Sequence, residues 1–195
     1  MSVFQIASII TLLVFYICYF AKKFSQKRKG IQTTQIGKGK TGFSRTVEIV
    51  MGIATAGVLI AEITSMALNC SAVPTGLRIA GIITGALGDI FFITAVLTMR
   101  DSWRAGVSND KTKLVTEGIF QISRNPAFLG FDLVYLGILL QFFNWILCVF
   151  TLFAILMLHL QIVNNEEDAM TRAFGEEYLD YKKHVNRYLG RKRQK

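Results

Sequence analysis

Apolar residues gather in four long runs, 3–21, about 46–68, about 77–99 and about 127–163, with polar blocks between them. A helix that crosses a bilayer needs about 20 apolar residues. Each of the first three runs has roughly that length. The fourth has 37 residues. As one helix it would reach about 55 Å at 1.5 Å per residue, nearly twice the roughly 30 Å hydrocarbon core. Gln141 to Asn144 is the only polar break near its middle, so two helices joined there as a hairpin are expected. The pattern predicts an all-α integral membrane protein with five transmembrane helices. Residues 1–99 would form a three-helix membrane region with a cytosolic linker at 22–45. Residues 100–195 would supply a cytosolic loop, the hairpin and a C-terminal helix. In that last helix Met170, Phe174, Tyr178, Tyr181 and Val185 recur at steps of three or four, the spacing of one amphipathic face. A bend is expected at Gly175.

Composition agrees with a membrane protein. The chain is 52% hydrophobic and only 18% charged, where soluble domains carry about 25% charged residues. Lys and Arg fix the orientation. Residues 22–45 hold eight, 100–124 five and 172–195 eight, which is 21 of the 22; Arg78 is the exception. Five spans with the N-terminus outside place all three segments in the cytosol. The net charge of +9 therefore lies on juxtamembrane segments that meet anionic lipid, and nucleic acid is rejected as a partner. The first run is not read as a cleavable signal, because its positive charge, KKFSQKRKG, follows the apolar core. Cys18, Cys70 and Cys148 sit in or beside different runs and imply neither a metal site nor a disulfide framework.

Within the third run Gly81 and Gly85 form a GxxxG, followed by Gly88. Such residues let another helix approach closely. The more unusual stretch is GIFQISRNPAFLGF, Gly118 to Phe131. The residue before a proline disfavours helix, proline suits the first helical position, and Asn is among the best N-caps. A helix is thus predicted to start here, with Asn125 as its cap and its first N–H groups free to attract an anion. Arg124 adds a fixed charge on a planar donor fork. Glu166 and Glu167 lie at the far end of the same hairpin and so at the same membrane depth. They suit a cationic ligand or an ion pair with Arg124.

Taken together, KLVTEGIFQISRNPAFLG, an apolar hairpin, then EE and FGEEYLDYKKHVNRYL resemble the isoprenylcysteine carboxyl methyltransferase family and the related phospholipid methyltransferases. The resemblance covers about residues 101–189. It implies an integral membrane enzyme that uses S-adenosyl-L-methionine and a lipidic or amphipathic acceptor. Leu114, Val115 and Gly118 match the family's cofactor loop, and Thr112 takes the place of its leading His, with Lys113 between. Arg124 and Pro126 match an Arg-His-Pro element in which Asn125 replaces His, and Ala127 follows. Phe120 and Phe128 stand where Tyr is usual. Glu167 aligns with a cofactor-contacting Glu, so Arg124, Asn125 and Glu167 are the expected catalytic set. Trp103 and Arg104 look like a tryptophan-containing loop of bacterial members, which puts Trp103 on the substrate side.

The substitutions change what the site can do. Asn125 keeps a hydrogen-bonding side chain but cannot become a cation or a base. Phe120 and Phe128 keep stacking surface and lose hydroxyls. Asp132, about 9 Å below the helix start, is expected to face protein or water rather than lipid, as the substrate end of the pocket or in a helix–helix bond. His159 either lines the site or bonds a neighbouring helix. His184 is expected at a solvated surface, and Glu62 and Asp89 have no assigned role. In eukaryotic members an Arg shortly before the Glu-Glu pair looks suited to a substrate carboxylate. Leu156 to Glu167 holds no Arg or Lys here, so the resemblance implies poor use of prenylated cysteine. Two other classes remain: a membrane reductase binding NADPH, and a non-catalytic protein that retains the fold.

Overall fold

A computed structural model describes residues 1–31, 41–103 and 113–192. Thr112 and Arg104, both singled out above, lie outside the described residues. Those described form six α-helices: α1 Val3–Arg28, α2 Gly42–Leu68, α3 Thr75–Met99, α4 Pro126–Gln141, α5 Trp145–Gln161 and α6 Glu167–His184. There is no β-sheet among them. α1, α2, α3 and the continuous helix that begins with α5 are long and apolar enough to cross a membrane; α4 is apolar but has 16 residues. The break near Gln141–Asn144 is present. Asn144 caps α5 by accepting the Leu147 N–H at 2.9 Å, and this fixes where the chain turns. The bend at Gly175 is also present, at φ +51°.

Successive helix ends gather at two poles. At one, Gln5 of α1 donates to the Met66 carbonyl of α2 at 2.8 Å. The Ala72 N–H reaches the Phe143 carbonyl at 3.1 Å, Asn144 donates to Ser65 at 2.9 Å, and Arg78 lies 3.9 Å over the Phe4 ring. At the other pole Lys29 pairs with Asp101 at 2.9 Å, Gln26 donates to the Trp103 carbonyl at 2.8 Å, and Ser44 bonds Asn165. Arg124 and Glu167 also meet at this second pole.

The expected hairpin does not pack as a pair. α3 packs chiefly on α4 and α2 on α5, while α4 and α5 touch little. Glycine decides this. A Cβ on Gly137 would lie 2.5 Å from the Gly85 nitrogen, and one on Gly88 would lie 2.7 Å from the Val134 nitrogen. Small residues on both faces bring the α3 and α4 backbones together, so the GxxxG serves packing. The core around this seam holds Phe15, Phe92, Tyr135, Ile138 and Phe142, each almost fully buried, with Phe15 and Phe92 ring centroids 4.2 Å apart.

α5 runs into α6 through a π-turn, Ile162–Glu166. Asn165 explains the register. Its amide donates to Gln161 and to the Ser44 carbonyl, and Gln161 in turn donates to the buried Glu48 of α2 at 3.1 Å. π-turns inside helices occur often at functional sites, and this one ends at Glu167.

Candidate functional site

Glu167 sits at the first turn of α6, beyond the apolar segment and 5% exposed. Its Oε1 receives Arg124 Nη2 at 3.0 Å and Arg187 Nε at 2.7 Å. Its Oε2 receives Lys182 Nζ at 2.8 Å and Arg187 Nη2 at 3.2 Å. Burial pushes this carboxyl up. The bonds from Arg187 and Lys182 and the charge of Arg124 outweigh burial and hold it at about 2. The carboxylate is therefore ionised throughout the physiological range, with three cations around one anion.

Arg124 is buried and wholly engaged. Besides Glu167, its Nε donates to the Val185 carbonyl at 3.1 Å and its Nη1 to the Tyr178 hydroxyl at 2.9 Å. Its fork, expected to be open to an anion, is committed to the protein. Lys182 and Arg187 are the more accessible cations, with side chains 39% and 32% exposed.

Asn125 occupies the N-cap position of α4 with Pro126 at the first turn, but its side chain makes no capping bond. Its amide instead donates to the Arg187 carbonyl at 3.1 Å. The expected cap is thus corrected: the C-terminal segment competes for the side chain, and Asn125 gives the first N–H groups of α4 no cap. That segment hooks back over the helix start. The Arg124 N–H reaches the Asn186 carbonyl at 3.1 Å, and the Gly190 N–H reaches the Ile122 carbonyl at 2.7 Å. Gly190 takes φ +104° to make the turn, a conformation open to glycine.

The loop before α4 is fixed from both sides. Gly118 at φ +60° opens a 3₁₀ turn, Gly118–Gln121. Phe120 is buried there, and its carbonyl accepts the Tyr181 hydroxyl. Leu114 and Val115 are half-buried and Lys113 is exposed. Pro126 is buried, and Ala127 and Phe128 pack partly buried against the core. A cavity of about 250 Å³ lies between this loop and the hook, lined by Thr116, Gln121, Tyr181, His184, Arg191 and Lys192. Trp103 is elsewhere, buried with its ring 5.5 Å from that of Tyr19. His159 bonds the Tyr188 hydroxyl at 2.7 Å, and burial pushes that hydroxyl up to about 12.

The structure therefore brings Arg124, Asn125 and Glu167 together and adds Tyr178, Lys182 and Arg187, which sequence reasoning did not place there. The available signal was the run of basic residues after Tyr181 within the segment that carried the resemblance.

A ligand end group that sets a carboxylate beside an ammonium could be held by these residues. Three cations against one carboxylate leave an excess of two positive charges within this cluster, next to a helix start that Asn125 does not cap and that favours an anion. Arg187 and Lys182 are free enough to turn toward a carboxylate, and in doing so would release Glu167 for an ammonium.

Known proteins are similar in sequence over part of this chain. Protein-S-isoprenylcysteine O-methyltransferase of Xenopus laevis is 29% identical over 114 residues, which is 57% of this chain and 40% of that protein. The Homo sapiens protein of the same name is 28% identical over the same length. Protein-S-isoprenylcysteine O-methyltransferase B of Arabidopsis thaliana is 28% identical over 102 residues, 51% of this chain and 52% of that one. The chain thus matches about half or less of the length of these relatives. A family model described as phospholipid methyltransferase matches residues 76–177, a stretch that contains the α3–α4 pair, the loop, Arg124, Asn125 and Glu167. With just over half of its 195 residues inside that match, the chain belongs to the phospholipid methyltransferase family.

Proposed function

We propose that this chain is a membrane methyltransferase that binds S-adenosyl-L-methionine at the Glu167 cluster and methylates a lipidic or amphipathic acceptor from the cytosolic side. The observation that carries this is the cluster itself, three cations on one buried carboxylate at a helix start that Asn125 leaves uncapped. Arg187, Lys182 and the start of α4 would hold the cofactor carboxylate, Glu167 its ammonium, and Phe120 and Phe128 would offer apolar surface beside it. When bound, the cofactor supplies an electrophilic methyl group. The chain's part is to align the acceptor and exclude water; such positioning is worth about 7–11 kcal/mol.

In this arrangement α4 is a fifth crossing and the N-terminus lies outside. Two features support it. Helix ends alternate between two poles, and 21 of 22 Lys and Arg lie in sequence segments 22–45, 100–124 and 172–195, which include Lys29, Arg124 and Lys182 of the pole that holds Glu167. At about 24 Å, α4 is short for a span, and the close backbone fit to α3 would hold it in place. The acceptor would enter sideways from the cytosolic leaflet, beside α4. Prenylated cysteine fits poorly, since Leu156 to Glu167 offers its carboxylate no cation and Arg124 is committed.

Calorimetry on detergent-solubilised protein tests the proposal. S-Adenosylhomocysteine should bind and NADPH should not. Binding of NADPH alone would assign a reductase, and binding of neither would leave the fold without this activity.

A further inference from the structure

The cavity beside the hook stands apart from the cofactor cluster. Thr116 and Gln121 line it from the loop side, and Tyr181, His184, Arg191 and Lys192 from the side of α6 and the hook; Arg124, Glu167, Lys182 and Arg187 do not line it. It thus holds two fixed cations, Arg191 and Lys192, and among the described residues no carboxylate lines it. Asp180 meets the His184 ring at 3.7 Å and is exposed, so it offsets that histidine rather than the two fixed cations. Glu117, next to Thr116 in the chain, is exposed and outside the lining.

The cations are held before any ligand arrives. Arg191 Nε donates to the Gln121 carbonyl at 3.1 Å and Nη2 to Gln121 Oε1 at 2.8 Å, which fixes the plane of the guanidinium fork. Lys192 Nζ gives one of an ammonium's three donors to the Lys182 carbonyl at 3.0 Å. The backbone that carries them is a tight turn. The Asn186 N–H reaches the Gly190 carbonyl at 2.9 Å, the Lys192 N–H reaches the His184 carbonyl at 2.8 Å, and Val185 pairs antiparallel with Arg191. Groups fixed in this way lose little freedom on binding. An Arg fork and a Lys ammonium, with a Thr hydroxyl beside them, form a donor set suited to phosphate oxygens. At about 250 Å³ the cavity is smaller than the roughly 300–1,000 Å³ of a pocket for a drug-sized molecule, yet roomy for a phosphate group. Apolar surface adjoins it. Ile122 follows Gln121, Leu189 precedes Gly190, and the two are 41% and 58% exposed; the Gly190 N–H bond to the Ile122 carbonyl brings their backbones together next to Arg191.

We infer that this cavity is a site for a phosphate group, that Ile122 and Leu189 suit it to a phosphate borne by a membrane lipid, and that the occupant clamps the hook to the loop. S-Adenosyl-L-methionine carries no phosphate, so this is a second ligand and not the cofactor. The clamp acts on the cofactor cluster through the hook. The hook supplies the Arg187 carbonyl to Asn125, the Arg187 side chain to Glu167 and the Asn186 carbonyl to the Arg124 N–H. A phosphate that bridges Arg191 and Lys192 to Thr116 and Gln121 ties those contacts down. Phosphate and cofactor should then each tighten the other's binding, by the same factor. This coupling rests on the methyltransferase function proposed above; the phosphate site does not.

The test uses the full chain in detergent micelles, read by calorimetry. The probes are dioctanoyl phosphatidylglycerol, glycerol 3-phosphate, and dioctanoylglycerol, which has the acyl chains without the phosphate. The phospholipid should bind saturably and dioctanoylglycerol should not. Arg191→Gln with Lys192→Gln should weaken the phospholipid by about tenfold or more. Lys183→Gln, which removes an exposed cation outside the lining, should leave its affinity unchanged. Arg191→Lys keeps the charge, loses the fork and should weaken binding by less than the double variant; circular dichroism checks that each variant is folded. Saturating phospholipid should raise S-adenosylhomocysteine affinity about fivefold or more in wild type and not in the double variant. Glycerol 3-phosphate bound as tightly as the phospholipid would support the phosphate site and overturn the lipid as its source. Binding of neither phosphate probe, dioctanoylglycerol bound as tightly as the phospholipid, or a double variant no weaker than Lys183→Gln would each overturn the site. An S-adenosylhomocysteine affinity indifferent to phospholipid would overturn the clamp. If wild type binds no S-adenosylhomocysteine at all, the methyltransferase function falls, and the phosphate site is still decided by the phospholipid titration.

Discussion

Replacing Glu167 with Gln should destabilise the protein mainly through Arg124. The Arg124 and Glu167 side chains are 4% and 7% exposed. Removing one member of a buried pair costs about 3–5 kcal/mol, because the other charge stays buried without compensation. Two details pull toward the lower end. Arg124 keeps its bonds to the Val185 carbonyl and the Tyr178 hydroxyl, and the Gln oxygen can still accept one bond. Lys182 and Arg187 are more exposed, and such pairs are worth about 0–1 kcal/mol each. The expected loss is therefore about 3–5 kcal/mol in all, read by SDS-induced unfolding in mixed micelles followed by circular dichroism. The double variant Arg124→Gln with Glu167→Gln removes the stranded charge and should be less destabilised than Glu167→Gln alone. A single variant within about 1 kcal/mol of wild type, or a double variant at the sum of the two singles, would refute the argument that a buried charge pair organises this end of the molecule.

Other outcomes follow from the same geometry. The Glu167 carboxyl lies near 2 against its ordinary 4.5, so its contribution is fully present above about pH 4.5 and lost as pH falls toward 2; thermal melting against pH should show that window, worth about 3 kcal/mol. Gly137→Ala would place a methyl 2.5 Å from the Gly85 nitrogen and 2.8 Å from the Gly81 carbonyl, and since backbone cannot step aside it should cost about 1–3 kcal/mol or more, visible as a lower melting temperature in detergent. Asn125→Ala frees the hook from the start of α4 and is expected to weaken S-adenosylhomocysteine binding by more than tenfold, about 1.4 kcal/mol, while the protein stays folded; calorimetry reads this directly.

The local features were legible in the sequence because local chemistry causes them. Apolar runs became helices, and Asn144 ended one and capped the next. Pro126 opened α4 because proline's fixed φ suits a first turn, and Gly175 bent α6 because it alone there takes positive φ without strain. Gly81, Gly85 and Gly88 announced a close helix contact but not its partner, since the partner's Gly130 and Gly137 lie over 40 residues away. The tertiary structure decided three things that spacing cannot carry. The chain pairs α3 with α4 rather than α4 with α5, because the smallest side chains permit the nearest backbone approach. Asn125 gives its amide to Arg187 rather than to its own helix, because the C-terminal hook presents a carbonyl there. And Glu167 draws in Lys182 and Arg187 from 15 and 20 residues away, because one buried carboxylate beside Arg124 attracts every cation that the fold brings within reach.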